Sequence, residues 1–285
     1  MPEGPLRARI NGVELVYEVF GEGVPLLTLH GGPGLGSRAG DRETFLPFTE
    51  LGMKLVCFDQ RGSGESEGAP PYSHEQWVAD IEGLRQHLGL GKMVLAGGSY
   101  GGHLALEYAL RYPENLYALI LRDTAASNRY QEKAIQTALA RNLPGVDREM
   151  LARLFAGQVR DDEDFRACYA AILPLYDYDH DPQRAQAKLE RIRFRHETHN
   201  WAFSRNQPQF DLTNRLPEIQ VPTLVICGRH DWITPLEASE EIARLIPKAR
   251  LVVFERSGHS PQVEEPETFR QVVRDFLLEF VMRRN

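Results

Sequence analysis

The apolar runs of this chain are short, almost unbroken and separated by helical stretches, and this arrangement limits the folds open to it. Strands with one wet face alternate hydrophobic and polar residues, whereas continuous apolar runs are typical of strands that helices cover on both faces. The pattern therefore predicts an α/β protein with a mostly parallel sheet. The predicted strands of this kind span residues 25–30, 54–59, 92–97, 116–122, 222–228 and 249–254.

Two further strands precede these runs, at residues 7–10 and 13–20. They are joined by Asn11-Gly12, a dipeptide typical of two-residue hairpin turns, so they predict an antiparallel edge and a sheet of eight strands. Helices are predicted at residues 74–88 and 101–112 and, at the end of the chain, at residues 266–283.

The residue composition and the hydrophobic pattern of the sequence change between residues 125 and 216. Strand-like runs stop there, and Arg, Gln, Ala, Leu and acidic residues dominate. The strand pattern then returns. We expect a helical cap at residues 125–216, inserted into an α/β core made of residues 1–124 and 217–285.

Composition narrows the classes of partner. With 285 residues, 42% of them hydrophobic and 26% charged, the chain can bury a sizeable core. Its formal net charge of −7 disfavours nucleic acid as a partner. No apolar run approaches the roughly 18 residues of a membrane span, and the first residues lack the apolar stretch of a secretory signal. A small peptide or small acyl substrate is the expected partner, and the oligomeric state is left open.

Three cysteines give an odd count without paired spacing. Cys57 and Cys227 lie inside apolar runs and are interpreted as small buried residues in a reducing compartment. The close pair His196 and His199 lacks the spacing of a helical zinc site. We therefore expect a cytoplasmic protein that binds no metal and no other cofactor.

A lone serine between glycines is the first chemical signal. The segment AGGSYGG at residues 96–102 follows an apolar run, and its frame Gly97-x-Ser99-x-Gly101 fits a nucleophile elbow. In such an elbow, a sharp strand-to-helix turn exposes the serine hydroxyl above a parallel sheet. A glycine-rich turn or a phosphate loop is the alternative. Ser99 excludes the reactions that use an aspartate at this position.

A serine nucleophile needs a histidine base and a carboxylate that orients it, and in the α/β-hydrolase arrangement these follow in the order Ser, Asp, His. Asp231 lies just past the predicted strand at 222–228, and His259 lies past the strand at 249–254. Both places are carboxyl ends of strands, where open α/β sheets form their ligand crevice. His230 is the competing base, but as a neighbour of Asp231 it cannot easily point back across the crevice.

The oxyanion formed on attack needs backbone donors. One is the N–H of Tyr100, which comes with the elbow. The other is assigned to the N–H of Gly32, in the segment HGGPG at residues 30–34. His30 in that segment is interpreted as structural, because the triad already has its base.

Several motifs together resemble one known family, the prolyl iminopeptidases. They are HGGPG at residues 30–34, DQRGSGES at 59–66, GGSYGG at 97–102, GRHD at 228–231 and GH at 258–259. The resemblance covers the core on both sides of the insertion. It implies an α/β-hydrolase fold with an eight-stranded, mostly parallel sheet, an inserted helical cap, and release of N-terminal proline from peptides. It also implies that Asp59 and Arg61 are structural, pairing to hold the oxyanion loop and its neighbour.

The cap departs from the family pattern. Family members hold the substrate's amino terminus with cap glutamates, and Glu197 in HETHNWAF matches one of these positions. The segment that should carry the other glutamate has none after Glu163, although Asp177, Asp179 or Asp181 could substitute. Glu197 is therefore the predicted ligand of the substrate amine. The alternative is that Glu197 pairs with Arg193 or Arg195.

Three functions follow from these residues. The first is a serine aminopeptidase that releases proline or another small residue. The second is a capped α/β-hydrolase that acts on esters or other small acyl compounds, without recognising an amine. The third is a non-catalytic ligand-binding protein on the same scaffold, since fold does not fix function.

Overall fold

An eight-stranded sheet forms the centre of the computed structural model, which describes residues 4–282. Its strand order is β1-β2-β4-β3-β5-β6-β7-β8. The first two strands pair antiparallel with their neighbours and the others pair parallel, so the predicted mostly parallel sheet with an antiparallel edge is confirmed. The strands are β1 (Leu6–Ile10), β2 (Val13–Phe20), β3 (Val24–Leu29), β4 (Met53–Phe58), β5 (Met93–Gly98), β6 (Leu116–Arg122), β7 (Thr223–Gly228) and β8 (Ala249–Phe254).

The hairpin between β1 and β2 turns at Asn11 and Gly12. Their φ angles are 45° and 85°. A tight turn of this twist requires positive φ at both central residues, which Asn and Gly adopt most readily. Ile10 and Val13 form the closing pair of the ladder.

Both faces of the sheet are buried, which explains the unbroken apolar runs. Leu27 packs in a core with residues of α2 and α3, whereas its neighbour Leu26 packs in a second core with residues of α11. The helices are α1 (Arg38–Phe45), α2 (His74–His87), α3 (Tyr100–Arg111), α4 (Gln131–Ala140), α5 (Arg148–Phe155), α6 (Asp162–Ile172), α7 (Pro182–Arg191), α8 (His196–Trp201), α9 (Leu236–Leu245), α10 (Pro261–Glu264) and α11 (Pro266–Phe280).

The chain between β6 and β7 is helical. This segment lies wholly within the described residues and contributes no strand to the sheet. It leaves and rejoins the core along one seam: the Leu212 N–H donates to the Ala126 carbonyl (2.8 Å), and the Asn128 N–H donates to the Phe210 carbonyl (3.1 Å). Helices α4 to α7 of this segment bury a hydrophobic core of their own, which Trp232 of the β7–α9 loop joins.

The last helix, α11, ends at Phe280, earlier than predicted, since Val281 and Met282 are described and lie outside it; Arg283 lies outside the described residues. Within residues 4–282, no helix is both long and apolar enough to cross a membrane.

Candidate active site

Ser99 occupies the sharp turn between β5 and α3. Its φ and ψ angles are 53° and −123°, a backbone region that residues other than glycine rarely adopt. Three hydrogen bonds hold the turn. The Ser99 N–H donates to the Arg122 carbonyl (2.9 Å), and the Ser99 carbonyl accepts from the Gly102 N–H (2.9 Å) and from Thr124 Oγ1 (2.7 Å). Neighbouring structure therefore fixes a strained residue, as is typical of functional turns.

The glycines around Ser99 are required by close approach of the backbone. A Cβ atom at Gly97 would overlap the Gly101 carbonyl oxygen, and one at Gly101 would overlap the Leu29 carbonyl oxygen. The helix after Ser99 thus packs directly onto the central strands, and only glycine fits at these two positions.

Asp231 and His259 meet beyond the ends of β7 and β8. His259 Nδ1 donates to Asp231 Oδ2 over 2.7 Å, and both side chains are buried. The Asp231 carboxylate also accepts from the backbone N–H groups of Ile233 (3.0 Å) and Thr234 (3.1 Å) and from Thr234 Oγ1 (2.6 Å). The bond to Asp231 selects the tautomer that protonates Nδ1 and leaves Nε2 free to accept a proton. His230, the competing base, is exposed and its ring packs against Tyr178 at 4.5 Å.

Asp123 is a second buried carboxylate at this place, and the sequence interpretation missed it. One oxygen of Asp123, one oxygen of Asp231 and one ring nitrogen of His259 lie within 4.8 Å of one another. Asp123 Oδ1 accepts from the Gly228 N–H (2.9 Å), whereas Oδ2 has no hydrogen-bond partner among the described residues. Burial, and next the nearby Asp231 charge, raise the pKa of Asp123. A usable signal was present: Asp123 directly follows β6, as Asp231 closely follows β7.

The loop after β3 passes against the turn that carries Ser99. A Cβ at Gly31 would lie 2.8 Å from Ser99 Cβ. Gly32 has a φ of 62°, and its carbonyl accepts from the N–H groups of Leu35 (3.0 Å) and Gly36 (2.7 Å). Gly32, Ser99 and Tyr100 all line one cavity between the sheet and the helices that follow β6.

His30 ties that loop to the one after β4. Its Nε2 accepts from the Gln60 N–H (3.1 Å), and its Nδ1 donates to the Gly31 carbonyl (2.9 Å). The Gln60 side chain donates in turn to the His30 carbonyl (2.7 Å). Both ring nitrogens of His30 are thus engaged in holding the loop.

Asp59 and Arg61 do not pair with each other, so that prediction is wrong. Asp59 forms a salt bridge with the Arg38 guanidinium and accepts from the Arg38 N–H (2.7 Å). Arg61 binds both oxygens of Asp80, at 2.7 and 2.9 Å. The two residues face different helices, because Arg38 lies on α1 and Asp80 on α2.

The cavity is lined mostly by apolar and aromatic side chains. Within residues 4–282, no Asp, Glu, Lys or Arg lines it. Two histidines do, His103 and His199, and burial lowers the pKa of both, that of His199 to about 4. His199 Nε2 donates to the Leu154 carbonyl (2.9 Å), and its ring stacks on Phe203 at 4.4 Å. The lining is therefore uncharged at neutral pH.

Glu197 does not reach this cavity. It is exposed on α8, and within the described residues it forms no salt bridge, neither with Arg193 nor with Arg195. The Arg195 guanidinium donates instead to the carbonyls of Gly64 (3.1 Å) and Ser66 (3.0 Å). The acids considered as substitutes are also placed elsewhere. Asp177 pairs with Arg184 (2.9 Å), Asp179 is exposed, and Asp181 caps α7.

Known proteins resemble this chain over nearly its whole length. Residues 24–266 match the family described as alpha/beta hydrolase fold. A proline iminopeptidase of Pestalotiopsis fici is 37% identical over 94% of this chain and 97% of its own. The structure of proline iminopeptidase from Mycobacterium smegmatis has a TM-score of 0.78 and 25% identity, covering 99% of this chain and 100% of the other. A thermophilic esterase from Thermogutta terrifontis has a TM-score of 0.72 and 28% identity, covering 97% and 99%.

These likenesses agree with the sheet topology. They also confirm the family resemblance that the sequence motifs indicated. The chain therefore belongs to the alpha/beta hydrolase fold family and, within it, to the proline iminopeptidases, a family of hydrolytic enzymes.

Proposed function

We propose that this protein is a serine hydrolase that releases N-terminal proline, or another small residue, from peptides. Ser99 is the nucleophile, His259 the base and Asp231 the group that orients His259. We infer the substrate class from the names of the relatives and the reaction type from the residues of the site. The hydrogen bond of 2.7 Å between His259 Nδ1 and Asp231 Oδ2, on the sheet edge where β5 delivers Ser99, is the observation that carries the proposal.

Acylation begins when His259 Nε2 takes the proton of Ser99 Oγ. The oxygen attacks the scissile carbonyl, and the backbone N–H groups of Gly32 and Tyr100 receive the resulting oxyanion. His259 then gives its proton to the leaving amine, and the amine departs from an acyl-enzyme ester on Ser99. Water attacks this ester with the same base and releases the acid. Asp231 stays ionised throughout and stabilises the imidazolium.

Covalent labelling tests the nucleophile. A serine-directed fluorophosphonate should add its mass at Ser99, and Ser99→Ala should abolish both labelling and turnover of a proline arylamide. Ser204→Ala is the matched control, because Ser204 is an exposed serine whose hydroxyl bonds to the Asn200 carbonyl (2.6 Å). Labelling of an active protein at another serine would refute the assignment.

One observation favours a second candidate, an esterase of small uncharged acyl groups. The cavity presents no carboxylate from residues 4–282 to a substrate ammonium, and a protonated amine buried without a partner is costly. The turnover of a proline arylamide, its N-acetyl form and an aryl ester separates the two candidates. Preference for the free-amine amide supports the aminopeptidase, whereas cleavage of the ester alone supports the esterase.

Two further assignments accompany this function, one for the domain division and one for the cellular location. Residues 125–216 are proposed to act as a cap domain over the site, on a core of residues 1–124 and 217–285. A cytoplasmic location is proposed as well, supported by three free and buried cysteines, Cys57, Cys168 and Cys227. Fluorescent fusion of the full chain tests the location.

A further inference from the structure

Three polar side chains in the cavity have buried atoms that no described residue satisfies. Both ring nitrogens of His103, the hydroxyl of Ser127 and Oε1 of Gln207 lack hydrogen-bond partners among residues 4–282. All three residues line the same cavity as Ser99. His103 and Ser127 are themselves at least nine-tenths buried. Buried polar groups are nearly always hydrogen-bonded, so three residues with unpaired polar atoms around one cavity point to a ligand.

The three residues are connected through Phe210, one by its ring and two by the backbone, at the seam where the segment between β6 and β7 rejoins the core. The His103 ring stacks on Phe210 at 4.4 Å. The Gln207 carbonyl accepts from the Phe210 N–H (3.1 Å), and Asn128, next to Ser127, donates to the Phe210 carbonyl (3.1 Å). His103 lies four residues after Ser99, one turn along α3. A substrate group held here is therefore close to the carbonyl that Ser99 attacks.

All three groups are uncharged at neutral pH. Burial, and next the neighbouring His74, lower the pKa of His103 well below its usual range. The titratable groups packed near His103 are Tyr100, at 5.0 Å between rings, and His74, at 6.4 Å, with Glu107 bonded to the far side of His74 (2.6 Å). Near Ser127, the Asp211 carboxylate is engaged by Thr213 Oγ1 (2.6 Å) and Arg129. None of these carboxylates lines the cavity.

We propose that His103, Ser127 and Gln207 form an uncharged hydrogen-bonding subsite, which binds a donor–acceptor group of the acyl part of the substrate in its neutral form. For an N-terminal proline this group is the unprotonated secondary amine, an identification that rests on the proposed aminopeptidase function. The neutral amine donates its N–H to an acceptor such as Gln207 Oε1, and its lone pair accepts from the Ser127 hydroxyl or the protonated nitrogen of His103. A hydroxyl at the same place makes the same bonds.

The pH dependence of specificity tests this subsite. We expect the ratio of kcat/KM for a proline arylamide to kcat/KM for a cyclopentanecarboxylate aryl ester to rise about tenfold per pH unit below the amine pKa, and to level off above it. The ester has the same ring without the amine, so it removes the enzyme's own ionisations from the comparison. A ratio that is flat, or that falls as the amine deprotonates, would overturn the proposal.

Substitution of Gln207 provides a second readout. Gln207→Glu places a carboxylate in the subsite, so the ratio should now be highest where the amine is protonated. Gln207→Leu should lower the ratio by about tenfold at every pH while sparing the ester. Gln209→Glu adds the same charge on the exposed side of the same turn and should leave the wild-type ratio unchanged. An unchanged ratio in both Gln207 variants would contradict the assignment.

The outcome also separates failure of the subsite from failure of the aminopeptidase function. If no proline arylamide is cleaved at any pH while esters are, the aminopeptidase function is refuted. The subsite is then tested by comparing the hydrolysis rates of an aryl lactate and an aryl propionate, which differ in one hydroxyl. The wild type should then prefer the hydroxyl-bearing lactate, and Ser127→Ala and Gln207→Leu should lose that preference. Equal rates on the two esters in the wild type would overturn the subsite.

Discussion

At the scale of single residues, Asp231 is the group on which the geometry of His259, the proposed base, depends. It accepts four hydrogen bonds, and only one of them comes from His259. We expect Asp231→Asn to fold, because the amide oxygen can still accept the backbone N–H bonds. It should nevertheless lower kcat by about 10⁴, because the imidazole loses the partner that fixes its tautomer. Steady-state kinetics measure this. His230→Ala, at the exposed neighbour, is the control and should keep near-normal turnover.

Asp123 gives a prediction about stability rather than rate. Its pKa is raised in the folded protein by burial and by the Asp231 charge, so folding favours its protonated form. The stability that this proton provides is full below the ordinary Asp pKa and is lost as pH rises through the raised value. In Asp123→Asn this loss is absent. The free energy of unfolding of the variant relative to wild type should therefore increase over that window, by at most about 1.4 kcal/mol per pH unit.

Urea unfolding at a series of pH values measures this difference. In Asp123→Asn the side-chain amide oxygen can still accept the bond from the Gly228 N–H, so the fold should be retained. A difference in unfolding free energy that stays constant with pH would show that Asp123 does not titrate in this range.

At the scale of elements, the packing of α3 against the central strands limits which residues fit in the turn that carries Ser99. Gly101→Ala should lower the free energy of unfolding by about 1–3 kcal/mol, because the new Cβ would overlap the Leu29 carbonyl oxygen. Gly40→Ala on α1 is the matched control. Nothing lies within 4 Å of a Cβ there, and Ala is the better helix former by about 1 kcal/mol. Thermal and chemical unfolding should place the two variants on opposite sides of wild type.

Elements also explain which predictions from the sequence succeeded. The strands were predictable because alternate residues such as Leu26 and Leu27 enter different cores, which makes each buried strand apolar throughout. The arrangement of the site was less predictable from the sequence. Asp123 meets Asp231 and His259 only because neighbouring strands end at one sheet edge. Glu197 and His199 lie about 200° apart around α8, so a match in chain position could not tell which of them faces the cavity.

At the scale of the whole molecule, Arg61 connects parts that are distant in sequence. Its guanidinium binds Asp80 on α2, the Asn11 carbonyl in the β1–β2 turn (2.9 Å) and the Ala69 carbonyl (3.1 Å). Arg61→Ala would leave the Asp80 carboxylate buried without its cation. The free energy of unfolding should fall by about 3–5 kcal/mol. The exposed pair Arg111–Glu75, at 3.7 Å, is the control, and Arg111→Ala should cost no more than about 1 kcal/mol.

The seam at which the segment between β6 and β7 leaves and rejoins the core has a consequence for how such enzymes could diversify. The backbones of Ala126 and Leu212 are hydrogen-bonded to each other, so the segment between them begins and ends at one place. It could therefore be exchanged as a unit without changing the strand order of the sheet. A graft cut at this seam would carry Ser127 and Gln207 with it and leave His103 behind on α3. Each new unit would therefore bring its own hydrogen-bonding partners to an inherited Ser99, and selectivity could change while Ser99, Asp231 and His259 stayed in place.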